Sequence, residues 1–168
     1  INNDGDALTT ISSIPTPSTS GTNRGIVWEN NSLWLIVSGL SPKGKIYQLD
    51  PTSGAVQDSI LAPGTDPRGI VFVNGSLYCN DTNLDSVYIY DSVQKTWASV
   101  FPTPSLSGVY TKFATGMTWD GTNFWIENSS GTYDHIFKVS PNGVVLSYFS
   151  SPRPDQNAVL AGIVYTPK

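Results

Sequence analysis

The stretch Arg68–Asp91, RGIVFVNGSLYCNDTNLDSVYIYD, decides the fold, because the rest of the chain repeats it with different side chains. It contains three strand-like runs, Gly69-Ile70-Val71-Phe72, Leu77-Tyr78-Cys79 and Ser86-Val87-Tyr88-Ile89-Tyr90-Asp91. The last alternates as a half-buried strand does. Between the first two lies Asn74-Gly75, a favoured two-residue hairpin turn, and between the second and third lies a short polar tract.

Working outward, the same anchors recur. Gly25-Ile26-Val27-Trp28, Gly69-Ile70-Val71-Phe72, Gly116-Met117-Thr118-Trp119 and Gly162-Ile163-Val164-Tyr165 each place a glycine, an aliphatic, a small or β-branched residue and an aromatic in order, with glycine spacings of 44, 47 and 46 residues. Eight residues beyond each of the first three glycines a second run begins, at Leu33, Leu77 and Phe124. Third runs follow at Lys45–Asp50, Ser86–Asp91 and His135–Ser140, and fourth runs end at Pro63, Pro102 and Pro152. Four short strands per unit of about 40 to 50 residues is the period of β-propeller blades. The expected fold is all-β, with blades of four antiparallel strands at 24–63, 68–104 and 113–152. An orphan outer strand is expected at 7–17 and an orphan inner strand at 158–167.

The pattern G-I-V-aromatic, N/D-G-S/T-x-L/F-W and K-I-Y-x-L-D-P-x-S/T-G, plainest in Gly25–Pro63, resembles the YVTN and NHL-like β-propeller repeat superfamily and covers nearly the whole chain. The resemblance implies architecture rather than activity, because such blades serve enzymes, sugar binders, surface-layer proteins and scaffolds alike.

Composition narrows the classes. The 168 residues carry a net charge of −4 with only 13% charged residues, which argues against a nucleic-acid partner. No apolar run is long enough for a membrane-spanning helix, so no membrane insertion is expected. Cys79 is the single cysteine, so neither an internal disulfide nor a two-cysteine metal site can form. A start at Ile1 reads as a processed end or a fragment. Glycosylation acceptor triplets begin at Asn30, Asn74, Asn80 and Asn128, all placed in or beside turns and expected to be exposed. With few lysines and the Ser/Thr/Pro-rich connector Pro15–Ser20, they point to a secreted or cell-surface glycoprotein.

Three blades do not close a ring of about four to eight, and an open array leaves sheet edges in water. Either the chain belongs to a longer propeller, or copies complete one another as a closed dimer or a filament. Self-assembly is the preferred reading, with the protein itself as partner.

Catalytic signatures are sparse. His135, the only histidine, has no nucleophile or ligand beside it in sequence, and Cys79 reads as a small core residue. Asp81-Thr82-Asn83-Leu84-Asp85 has the D-x-N-x-D alternation of a calcium loop but lacks the following glycine and distal carboxylate, so Asp81, Asn83 and Asp85 compete with a plain polar turn. Otherwise no cofactor is expected. Propeller enzymes of lactonase type gather Glu, Asn and Asp round a central metal; here the matching strands supply few carboxylates beyond Glu29, Asp120 and Glu127. Arg24 and Arg68, equivalent by repeat, could line a channel mouth that takes an anion or acidic sugar. Most aromatics recur at equivalent positions and read as interblade core, Trp28, Trp34, Phe72, Tyr78, Trp119, Phe124 and Trp125 among them. Trp97 and Tyr133 have no equivalents and are the candidates for stacking on sugar rings. The expectation is a non-enzymatic, extracellular, self-associating propeller repeat protein. A carbohydrate- or small-ligand-binding propeller of lectin type and a metal-dependent propeller hydrolase or lyase stay open.

Overall fold

A computed structural model describes residues 15–18, 20–106, 113–129, 134–151 and 162–166. Twelve strands are assigned among them, in three four-stranded antiparallel sheets and with no helix. The first holds β1 (Thr22–Glu29), β2 (Ser32–Ser38), β3 (Lys45–Leu49) and β4 (Val56–Leu61). The second holds β5 (Pro67–Val73), β6 (Ser76–Asp81), β7 (Ser86–Asp91) and β8 (Thr96–Pro102). The third holds β9 (Ala114–Trp119), β10 (Phe124–Ser129), β11 (Asp134–Val139) and β12 (Val145–Ser150). Strand order in each sheet follows the chain, so every blade is a meander.

Turn chemistry makes the meanders. Asn30-Asn31 has φ of 49° and 56°, and Asn74-Gly75 has 50° and 79°. Paired positive φ values belong to the two-residue turn whose twist matches the strands it joins. Farther out, Asp50 Oδ1 accepts the N–H groups of Thr52 and Ser53 at 3.0 and 2.8 Å, and Asp91 Oδ1 accepts those of Val93 and Gln94 at 2.9 Å. One aspartate thus replaces backbone partners at the same corner of two blades.

The recurring glycines have a steric cause. A Cβ on Gly25 would stand 2.5 Å from Arg68 O, one on Gly69 2.7 Å from Met117 N, and one on Gly116 3.1 Å from Gly162 Cα. At each seam the next inner strand crosses where a side chain would be. In the first two blades the glycine follows an arginine inside a register irregularity, between Asn23 and Ile26 and between Pro67 and Ile70. Such bulges re-aim side chains, and here both arginines line the groove along the inner strands.

Two apolar clusters hold the sheets face to face. Ile36, Ile46, Ala62, Ile70, Leu77 and Cys79 fill the seam between the first and second sheets, joined by the Trp34–Phe72 ring pair at 5.4 Å. Val71, Val87, Phe101, Met117, Phe124 and Phe137 are at the heart of the other, with Tyr78 and Trp119 rings 5.2 and 4.8 Å from Phe124. Two of the expected core aromatics fall elsewhere. Trp28 is 54% exposed and Trp125 is half-buried beneath Lys138, because among the described residues no sheet packs on their side of the end blades, whereas Trp34 and Trp119 of the same blades pack against the seam clusters.

Most of the expected outer strand at 7–17 lies outside the described residues, and 15–17 form no strand. At the other end, residues 162–166 also form no regular strand, yet they run beside β9, where Tyr165 N–H donates to Thr118 Oγ1 at 3.2 Å.

Candidate functional site

The inner strands β1, β5 and β9, with residues 162–164, line an axial groove of about 290 Å³. Arg24 and Arg68 both line it but differ electrostatically. Arg68 donates Nε and Nη2 to Asp66 Oδ2 at 3.1 and 2.9 Å and lies 4.4 Å from the Phe113 ring centre, so its charge is matched and its plane stacked. Arg24 donates Nε to the neutral Ser38 Oγ at 3.1 Å. Partial burial and the nearby Arg68 charge lower its pKa, against the pull of Asp66. Among the described residues no carboxylate pairs with Arg24, so it is the cation of the groove open to an anion.

Glu127 gives the molecule an ionisable group that sequence reading undervalued. Its repeat equivalents on β2 and β6 are Ile36 and Asn80. Asn80 uses its Oδ1 to accept the Gly69 N–H at 2.7 Å, sealing the bulge. Glu127 occupies the same place under Gly116, is 2% exposed, and no hydrogen bond of normal geometry reaches its Oε2. Burial pushes its pKa to about 7; the nearby Asp134 adds to the rise, while Thr115 and the Gly162 amide oppose it.

The remaining candidates separate by burial. Asn30 and Asn74 sit on exposed hairpin tips. Asn80 and Asn128, expected to be exposed, are buried: Asn128 donates Nδ2 to Pro104 O at 2.9 Å and accepts the Phe113 N–H at 3.2 Å. Both lie near the ends of second strands, where their amides replace missing ladder partners. Asp81 is fully buried. Its Oδ1 accepts the N–H groups of Asn83 and Leu84 at 3.0 and 3.1 Å, and its Oδ2 accepts that of Asp66 at 3.2 Å. Asn83 turns away to Thr65 Oγ1 at 2.8 Å, and Asp85 adopts φ of 51°. These are the contacts of a tight turn, with three backbone N–H groups donating to the Asp81 oxygens. Among the described residues no three His, Cys, Asp or Glu side chains cluster as a metal site. Trp97 is half-buried at a seam and donates Nε1 to Leu61 O at 2.7 Å. Tyr133 lies outside the described residues.

The fold so defined is an all-β, propeller-like array of three four-stranded repeats. No protein-family profile matches the chain, and no characterised protein matches it in sequence. Solved structures do match in fold. The computationally designed Ika8 protein aligns over 92% of this chain and 43% of its own at a TM-score of 0.54 and 9% identity. The designed Ika4 protein aligns over 92% and 86% at 0.52 and 9%. Hydrazine synthase of Kuenenia stuttgartiensis aligns over 83% and 40% at 0.53 and 14%. The chain therefore spans less than half the length of the Ika8 and hydrazine synthase chains, and at these identities the likeness is one of fold alone.

Proposed function

We propose that this chain is a non-enzymatic repeat protein of YVTN/NHL-like propeller type that acts outside the cell by associating with copies of itself through its end blades. One observation carries the reading: the two end faces repeat the residues that close the internal seams. Ile26 on β1 is 58% exposed, whereas its equivalents Ile70 and Met117 are each 4% exposed against the preceding blade. At the other end Phe149 pairs with Ile136 in the register in which Phe101 pairs with Val87. Phe101 is 4% exposed under the next blade and Phe149 is 49% exposed. Each end presents one half of a seam that the molecule already builds twice.

Covering half of a side chain such as Ile26, Trp28 or Phe149 returns on the order of 1 kcal/mol. Association costs at least ~4 kcal/mol, so the whole face must engage over about 1,000 Å² or more. The contact is heterologous, last blade to first, and gives a ring if the rotation closes or a filament if it does not. The exposed acceptor tips at Asn30 and Asn74 favour a secreted or surface-displayed, glycosylated chain. Light scattering after size exclusion tests the reading. Particles at multiples of 18.1 kDa support it, and a monomer of 18.1 kDa at high concentration overturns it. Expression in a glycosylating host should add sugar mass that is lost in the Asn30→Gln/Asn74→Gln double variant.

A further inference from the structure

The two internal seams are filled unequally at the periphery. Between the second and third sheets Phe137 and Val139 are buried, and the β11–β12 turn lies so close to Phe101 that a Cβ on Gly143 would stand 2.4 Å from the Phe101 Cβ. Between the first and second sheets the equivalent residues are Tyr88 and Tyr90, both only half-buried, and a cleft of about 640 Å³ opens between β4 and the β7–β8 hairpin. That volume is within the range of small-ligand sites.

The side chains around the cleft are not those of a merely imperfect seam. Trp97 donates Nε1 to Leu61 O at 2.7 Å across the cleft and rests 5.0 Å from the Tyr90 ring, so its indole is fixed in orientation as part of the wall. Lys95, on the rim, has φ of 58°, where the first blade uses Gly54 at 74°. A lysine held in the left-handed region costs about 1 kcal/mol or more relative to glycine. Lys43 stands on the opposite lip. Among the described residues neither ammonium has an ion-pair partner. Asp58, also on the lip, accepts the Ser59 N–H at 2.7 Å through Oδ1.

We propose that this interblade cleft binds an acidic saccharide. Tyr88, Tyr90 and Trp97 supply an aromatic wall, the Tyr90 and Trp97 planes inclined at 48°, whose individual ring faces suit a sugar ring. Lys43 and Lys95, one on each lip, pair with carboxylates borne by successive rings. Asp58 Oδ2 accepts ring hydroxyls. The site is separate from the end faces, so it stands whether or not copies associate.

Calorimetric titration of the full chain with a short oligogalacturonate, and with a neutral malto-oligosaccharide of equal length, tests this. The uronate should bind, with affinity falling as salt rises. Lys43→Gln and Lys95→Gln, both at exposed positions, should each weaken binding roughly tenfold, the loss of one charge-assisted contact. Arg24→Gln should leave it unchanged. Absence of uronate binding, equal binding of the neutral oligomer, or a loss caused by Arg24→Gln and not by the lysine variants would overturn the proposal.

Discussion

Glu127 sits in an environment that alters its ordinary chemistry. An acid whose folded pKa is raised from 4.5 to about 7 binds more protons folded than unfolded. Its contribution to stability therefore falls as pH rises from the unfolded value through the folded one, and is level above. The loss is on the order of 1–3 kcal/mol. Denaturant midpoints between about pH 5 and pH 8 should fall for the natural chain and stay flatter for Glu127→Gln, and parallel profiles would refute the assignment. Gly69 makes an opposite, purely steric case. Because a Cβ there meets Met117 N at 2.7 Å and Asn80 Nδ2 at 2.9 Å, Gly69→Ala should destabilise by about 1–3 kcal/mol, read from the same denaturant curves. Gly75, whose Cβ position is open, measures the separate cost of positive φ alone.

At the scale of the element, turns explain both what the sequence made legible and what it hid. Asn74-Gly75 and the aspartates at 50 and 91 announce their corners, because short-range hydrogen bonds and left-handed backbone are local properties. Lys95 is the exception: it occupies a left-handed corner that Gly54 fills in the first blade. Lys95→Gly should raise the melting temperature, corresponding to about 1 kcal/mol, by relieving that strain. If Lys95→Gly instead melts lower, the corner is held by the lysine side chain. Burial was the hidden quantity. Asn30 and Asn80 carry the same acceptor triplet, yet one caps an exposed hairpin and the other seals a bulge from inside. The triplet encodes neither fate, since the difference depends on which backbone donor the second strand passes. The D-x-N-x-D tract, open in sequence to a calcium loop or a plain polar turn, folds as a turn in which the N–H groups of Asn83 and Leu84 donate to Asp81 Oδ1.

For the whole molecule, the proposed association through the end blades is tested at the two open faces. Trp28→Glu and Phe149→Glu put a charge on opposite open faces without touching either internal cluster. Each should cut self-association sharply while shifting the unfolding midpoint by no more than about 0.5 kcal/mol, as surface substitutions do. Sedimentation or light scattering beside a thermal melt separates the two effects. A large loss of stability in dilute solution would mean that these side chains serve the fold of the single chain instead.

The sequence by itself determined the repeat, the four strands of each unit, the order of the blades and the glycine at each inner seam. All of these follow from alternation, turn residues and the bulk of single side chains, which act over a few residues. Only the tertiary structure decided which equivalent positions are buried. Ile26 and Ile70 are the same residue in the same repeat, and among the described residues only Ile70 has a blade packed against it. It also decided that Glu127 is desolvated, that Arg68 is paired while Arg24 is not, and that the first seam stays open beside Lys95. Desolvation, pairing and packing are set by neighbours tens of residues away, and those neighbours exist only once the sheets have stacked.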